Sequence, residues 1–366
     1  MKQLIFSLFF IGVSISAQRV KKTIIKDSFL INDALKMEMN ITNIPIIVET
    51  SKDDKVHVDF ELDFLKYSEK EMEEYLKIIA LEQFFMEDTF VLKIKSPKKI
   101  RKREFYSKDY IKKEFNFFTK SLKKKMKFDL ARNSKKDILD MFNKEDVSFF
   151  SLDKFQDEVI KKKNYKSFNA LFKISIPKKF LKGLKITSKE SVINFNNLIF
   201  ESLNLKLEGG GAKIREVSNS IISINNGHGL FGGVKSSNID AIGDSWKNLV
   251  IGSISNSKIS SEGIKIEIGE VDDNIEINNF SSQIYLNFFS KNINIFKCIG
   301  DYSRIYLFDS YDLDKFSITG VNSILKNKGK KTQIKSKKIP SLNTNEKLQI
   351  KVKNSEVTFL KKSKVE

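Results

Sequence analysis

Two histidines and one cysteine are all this 366-residue chain offers of the side chains that most often perform nucleophilic or metal chemistry near neutral pH. His57 stands in KVHVDFELDF beside Asp59 and Glu61, so alternation puts three polar groups on one strand face. That pattern suits a carboxylate-oriented base or a metal ligand, and equally a plain solvent-facing strand. His228 stands in Asn226-Gly227-His228-Gly229, where small neighbours predict an imidazole exposed at a turn. A catalytic histidine needs a partner that fixes its tautomer, and the sequence identifies none for it. Asp240, Asp244, Glu267, Glu270, Asp272, Asp273 and Glu276 are the residue type that glycosidic cleavage uses in pairs. Asp272-Asp273-Asn274 falls where a turn is expected, and the glycine-rich nonapeptide calcium repeat is absent. Gly209-Gly210-Gly211 lacks the Lys-Ser/Thr of a phosphate loop and reads as a tight corner. Cys298, in NIFKCIG, reads as a buried thiol among alternating apolar residues. A single cysteine excludes an intramolecular disulfide framework, and with two histidines it excludes a four-ligand Cys/His zinc site. No catalytic, cofactor-binding or metal residue is assigned from these patterns, and no cofactor is expected.

Charge points to a different kind of site. The formal net charge is +19, and only six of the 65 basic residues are Arg. Base and phosphate readers favour the planar fork of Arg, so a lysine-dominated excess does not indicate specific nucleic-acid recognition. The excess is local: Lys98 to Lys135 holds 15 basic and 4 acidic residues, or +11 of the total. Ile111, Phe115, Phe118, Leu122 and Met126 recur there at helical spacing. Lys112, Lys113, Lys120, Lys123, Lys124 and Lys125 surround that stripe and are the candidate anionic-surface residues. The expected partners are an acidic glycan, an envelope protein or an anionic lipid surface. A purely structural role, with the apolar stripe packed on the rest of the protein, uses the same pattern.

The remaining elements frame this segment. Met1-Lys2, the apolar run Leu4 to Ile15 and Ser16-Ala17 have the form of a secretory signal peptide. Twelve residues, about 18 Å as a helix, are too short for a bilayer core of about 30 Å, and no later stretch is long and apolar enough to span one. Residues 18–96 predict strands around a helix opened by the capping box Ser68-x-x-Glu71, with Met72, Tyr75, Leu76 and Ile79 on one stripe. Residues 97–166 form the basic insertion, with a second short helix expected near 136–142. From 167 to 366 short alternating runs begin about every nine residues. Fourteen of the 16 glycines fall between Gly209 and Gly329, yet there is one Asn-Gly and no Asp-Gly. Tight hairpins prefer those dipeptides. Their scarcity favours a chain that keeps turning one way, a parallel coil, over a sandwich.

Three pieces carry a resemblance: MNITNIPIIVETSKDDKVHVDFEL (39–62), FKISIPKKFLKGLKITSKESVINFNNL (172–198) and the Gly/Ser/Asn-rich ladder after Leu203. They resemble the bacterial putative-adhesin family of exported β-solenoid proteins, related to head GIN domains. Where members place Asn-Gly before the first rung, this chain has Lys189-Glu190-Ser191. The resemblance implies a mainly β fold, a right-handed parallel β-solenoid-like stack. The small α+β N-terminal part expected to pack on it and the helical basic insertion are read from the residues themselves, and the insertion lies outside the resemblance. The resemblance also implies export to the periplasm, outer surface or medium, and brings no catalytic residues. The expected function is therefore non-enzymatic adhesin-like binding of glycan or protein at the cell envelope. The alternatives are a carbohydrate-active lyase or hydrolase, and an envelope-associated protein held by its basic helix.

Overall fold

The computed structural model describes residues 19–31, 34–65, 68–76, 79–96, 167–195, 197–291, 293–308, 316–327, 330–334 and 347–360. The residues read as a signal peptide, the six candidate lysines and both helices expected within 97–166 lie outside them. The described chain is mainly β, and its strands join in one large mixed sheet that does not close. Among the described residues, helix is confined to α1 (Glu69–Leu76) and a 3₁₀ turn at Lys178–Leu181. The N-terminal strands are β1 (Arg19–Leu30), β2 (Lys36–Thr42), β3 (Ile46–Thr50), β4 (Lys55–Leu65), β5 (Ala80–Met86) and β6 (Thr89–Lys95). As the alternation of KVHVDFELDF requires, Val56, Val58 and Phe60 of β4 are fully buried.

The remaining strands follow a cycle. After β7 (Ser167–Ile176) come β8 (Lys185–Lys189), β9 (Val192–Asn194), β10 (Ile199–Glu201), β11 (Asn204–Glu208), β12 (Gly211–Ser218) and β13 (Ile221–Asn225). Next are β14 (His228–Lys235), β15 (Asn238–Ile242), β16 (Asn248–Glu262), β17 (Lys265–Phe280), β18 (Gln283–Phe289), β19 (Phe296–Asp301) and β20 (Arg304–Phe308). These strands pair in parallel in three columns. The first runs β8, β11, β13, β15, the end of β16, the end of β17 and β19. The second runs β9 and then the starts of β12, β14, β16, β17 and β18, followed by β20. The third joins β10 to the later parts of β12, β14, β16, β17 and β18. The chain returns to each column after 17 to 21 residues, the spans of the corner bonds Leu203–Ser220 and Ser282–Ser303. Two of the alternating runs read from sequence make one such turn.

Apolar stacks run along the columns, and the first column carries two side by side where Leu207, Ile224 and Ala241 lie beside Leu205, Ile222 and Ile239. Along that column, Ile186, Leu205, Ile222, Ile239, Ile259, Ile277 and Cys298 lie in register, none more than 2% exposed. Burying an aliphatic side chain of this size contributes roughly 1.5–3 kcal/mol. Gly229 interrupts the second column's stack because a Cβ there would stand 2.7 Å from the Phe231 ring and 2.8 Å from Ile224.

Corners are the harder problem, because a bent backbone loses ladder partners inside the protein. Serine solves it. The N–H of Leu203 donates to Ser220 Oγ, that of Ser220 to Ser237 Oγ, and that of Ser237 to Ser257 Oγ, each at 3.0 Å. Each hydroxyl donates in turn to the carbonyl two residues back, 2.7 Å away for Ser220, Ser237 and Ser257. The residues just before these ladder positions, Ser202, Asn219, Ser236 and Asn256, have φ between 48° and 59°. Asn tolerates that left-handed region best among residues with a side chain, which accounts for the Asn/Ser-rich corners. Glu190 (φ 53°) and Ser191 repeat this arrangement at a different corner, between the first and second columns, where Ser191 Oγ accepts the Ile44 N–H.

Both ends depart from chain order. β2 and β3 pair in parallel with β8 and β9 on one side, and with β6 and β7 on the other. Antiparallel strands finish that end: β4 on β7, β1 on β4, and β5 on β6. At the opposite end are β21 (Phe316–Val321), β22 (Ser323–Asn327), β23 (Lys330–Ile334), β24 (Leu348–Lys353) and β25 (Glu356–Leu360). β23 pairs antiparallel with β22 and exposes Lys330 and Lys331, charges that discourage edge-to-edge association.

The ladder predicts unequal costs for two Ser→Ala changes. Ser237→Ala strands the buried N–H of Ser220 and should cost about 1–3 kcal/mol in urea unfolding. Ser260→Ala, on the exposed side of β16, should stay within about 0.5 kcal/mol. Equal losses at both positions would remove the ladder's energetic role.

Candidate functional site: an aromatic ridge at one corner

The side chains singled out from sequence do not assemble into one site. His57 bonds neither Asp59 nor Glu61 in the described contacts. Its Nε2 lies 2.7 Å from Asp53 Oδ1, and its Nδ1 lies 2.7 Å from Ser28 Oγ on the neighbouring strand. Hydrogen bonding to His57 holds the Asp53 carboxyl below its usual range. With a proton on Nε2 facing Asp53, Nδ1 is the nitrogen placed to accept the Ser28 hydroxyl. The order Ser-His-Asp is present, but the Asp53 side chain is 50% exposed, so water competes for its oxygens.

His228 is not exposed at a turn as its small neighbours suggested. It opens β14 in register with Gly211, is 3% exposed, and its Nδ1 accepts the Asn248 N–H at 3.3 Å. Burial first, then the Lys247 cation, lowers its pKa from an ordinary 6.5 to about 3. The imidazole is a neutral structural acceptor. Cys298 is fully buried between Ile277 and Ile350 in the apolar stack, and burial pushes its thiol up to about 12.

The seven carboxylates are dispersed. Asp240 and Glu276 lie in the first column, where Glu276 sits 3.3 Å from Lys258 Nζ. Glu267 is in the second column, and Glu270 and Asp272 are in the third. Asp244 caps a corner loop by accepting the Trp246 N–H at 2.9 Å. Asp273 is a corner residue with φ 57°, and amides of Asn256, Asn274 and Asn294 donate to its carboxylate at 2.8, 3.0 and 2.8 Å. Among the described residues, no group of three or more His, Cys, Asp or Glu could hold a metal ion. Gly209 and Gly210 have φ of 73° and 67°, and a Cβ on Gly210 would meet the Ser191 backbone. They are corner residues, as read.

What the structure does concentrate is aromatic surface, at the corner between the first and second columns. Trp246, the one tryptophan of the chain, is 64% exposed in the loop joining β15 to β16. Ile242 at the loop's start is 42% exposed, and in register with Glu262 and then Phe280, itself 46% exposed. Tyr302, one rung further on, is 60% exposed and meets the Phe280 ring edge-on at 5.9 Å. Successive strands stand about 4.8 Å apart, so this ridge runs on the order of 15–20 Å along the stack.

The second column extends the ridge inward. The outward positions Lys213, Leu230, Val250, Glu267, Tyr285 and Tyr306 share one row. Its first four members are at most 6% exposed, and burial lowers the Lys213 amine to about 8. Tyr285 and Tyr306 stack at 4.5 Å with an interplanar angle of 11°. Lys265 Nζ sits 4.9 Å from the Tyr285 ring centre and 3.9 Å from a Glu267 oxygen. Exposed Trp, Tyr and Phe beside fixed cations is the composition of contact hot spots, since rigid rings lose little entropy on binding. Sequence reading missed this ridge because Trp246, Phe280 and Tyr302 are far apart in the chain. The signal that could have found it is a large apolar residue at a corner otherwise filled by Asn, Ser or Gly.

No protein-family model matches the chain, and no curated protein matches it. Among solved structures, it is similar to a putative cell adhesion protein from Clostridium sporogenes ATCC 15579. The identity is 10%, the match covers 94% of this chain and 100% of that chain, and the TM-score is 0.20. A superposition at that score fixes neither fold nor function for this protein.

His228 supplies a pH test. Its folded pKa lies below the unfolded value, so its stabilisation is complete above about 6.5 and declines as pH falls towards about 3. His228→Gln keeps an acceptor for the Asn248 N–H and does not titrate. It should flatten the loss of stability across that window in urea unfolding. An unchanged pH slope would show that the native ring takes up a proton.

Proposed function

We propose that this is an exported, non-enzymatic adhesin-like protein that contacts glycan or protein at the cell envelope. Under this reading the parallel columns form a right-handed β-solenoid, the hand that parallel crossovers strongly prefer. The observation that carries the contact role is the exposed ridge of Trp246, Phe280 and Tyr302 along one corner. Exposed aromatics gathered along one edge mark interaction surfaces more often than catalytic clefts, because their burial on binding drives association. Dispersal of the seven carboxylates over columns and corners gives glycosidic cleavage no comparable support.

The export reading rests on residues 1–17, and is accompanied by the finding that no described helix is long and apolar enough to cross a membrane. It divides the chain into a leader (1–17), an N-terminal part (18–96), a basic insertion (97–166) and a C-terminal coil (167–366). Lys112, Lys113, Lys120, Lys123, Lys124 and Lys125 would add attraction to anionic lipid or acidic glycan, roughly 1 kcal/mol for each lysine at such a surface. Deleting 98–135 should then reduce low-salt association with anionic vesicles. Unchanged association would end that reading.

The single tryptophan makes the ridge directly testable. Titrating the mature protein with a panel of envelope glycans and proteins should blue-shift Trp246 emission for a true partner, because a 64%-exposed indole leaves water on binding. Trp246→Ala and Tyr302→Ala should each weaken that partner's binding by about tenfold, measured by calorimetry. A partner that binds both variants with native affinity would relocate the contact surface away from the ridge.

A further inference from the structure

The last rung in the chain is not the last rung in space. β24 pairs in parallel with β19 on one side and β21 on the other, and β25 likewise with β20 and β22. The C-terminal strands therefore lie between two rungs that precede them in sequence. Without residues 347–360, strands β19 to β22 would bound a slot one strand wide.

The slot is selective. Leu348, Ile350, Val352 and Val357 point into the core at 5, 1, 0 and 0% exposure. Ser355 Oγ accepts the Ser303 N–H at 2.9 Å, and the Ser355 N–H donates to Ser323 Oγ at 3.2 Å. The serine ladder thus runs 282, 303, 355, 323, following space and not the chain. Asn354 takes the left-handed corner position with φ 48°, and its Nδ2 donates to Asp301 at 3.4 Å. An occupant must present alternating apolar residues, then Asn-Ser at the corner, then a further apolar strand.

We propose that this slot is a strand-acceptor site and that its partner is residues 347–360 of a second copy of this chain, so that two copies exchange their final rung. Contacts made within one chain and between two are identical, leaving only chain connectivity and concentration to choose between them. Complementarity to this one segment, at the corner as well as in the core, selects a second copy over an arbitrary peptide. Strand addition of this kind draws affinity from main-chain bonds and specificity from alternate side chains.

The test begins with the folded full-length protein. A protease-cleavable sequence placed between Ser341 and Glu346 is cut in the native state, leaving the last rung held without a covalent link. Labelled peptide 347–360 should then replace the original segment, detected by native mass spectrometry. The same peptide carrying Val352→Asp should incorporate at least about tenfold less, since it places a carboxylate in the core. In parallel, uncut protein carrying two different dyes is refolded as a mixture. Energy transfer should appear in a dimer fraction that grows with concentration. The proposal is overturned if nicked protein excludes the labelled peptide even after co-refolding, or if the Val352→Asp peptide enters equally well. Should the nicked protein fail to refold, a refolded dye mixture that stays monomeric at every concentration overturns it as well.

Discussion

Everything in this architecture depends on how the backbone is satisfied where it turns. A straight parallel ladder pairs its own N–H and C=O groups; a corner breaks that ladder in the interior. Ser220, Ser237 and Ser257 at one corner, and Ser303, Ser355 and Ser323 at another, each take one N–H and return one O–H. Serine fits because it is small enough to be buried at 0–7% exposure and carries donor and acceptor on one atom. The residue before it must accept positive φ, and that need places Asn, Ser or Gly at most corners.

This constraint also explains where function can sit. Inward positions of every strand are committed to the apolar stacks, and the corner serines are committed to backbone groups. Free choice remains on outward strand faces and at the left-handed residue just outside the ladder. Tyr302 occupies such a position with φ 50°, where a neighbouring rung has Ser281 and another has Asn354. A bulky aromatic gains nothing sterically from left-handed backbone and loses none of its exposure. Its presence there trades local conformational energy for a projecting ring, a trade that folding alone does not require. The Trp246 loop is comparable, since it lengthens one turn of the coil to 20 residues where neighbouring turns take 17.

How much of this could be read in the sequence follows from the same physics. Alternation in KVHVDFELDF and in the Ile-rich runs marks inward residues without ambiguity, because a period of two survives any tertiary arrangement. The scarcity of Asn-Gly agrees with the parallel pairing of the central strands. Burial of His228 was not legible: flanking glycines suggest a turn, whereas they are needed because Phe231, Ile224 and Leu249 crowd the Gly229 position. The Ser28–His57–Asp53 set was hidden because β1 crosses to β4 from outside the local pattern. The aromatic ridge depends on which corner each aromatic reaches, and variable turn length conceals that. The order of the final rungs was invisible too, since residues 316–327 and 348–360 both have acceptable rung patterns.

That last ambiguity has a structural consequence. In a coil built by successive addition, each rung covers its predecessor and the final one must be shielded. Here β22 turns back into β23, whose Lys330 and Lys331 discourage further addition. The shielded end is formed by residues 316–334, so a later segment can only enter behind it. Residues 347–360 do so, and extend both the Ile277–Cys298–Ile350 stack and the serine ladder without a break. The ladder remains continuous through a strand taken out of chain order, and Asn322-Ser323 and Asn354-Ser355 offer the same corner residues. At the other end β2 and β3 also lie between strands from later in the chain. There, however, the residue after left-handed Asn43 is Ile44, which donates its N–H to Ser191 Oγ and offers no hydroxyl of its own. Corner chemistry shared by several segments satisfies any rung, so the order of the stack must be set by contacts outside the ladder.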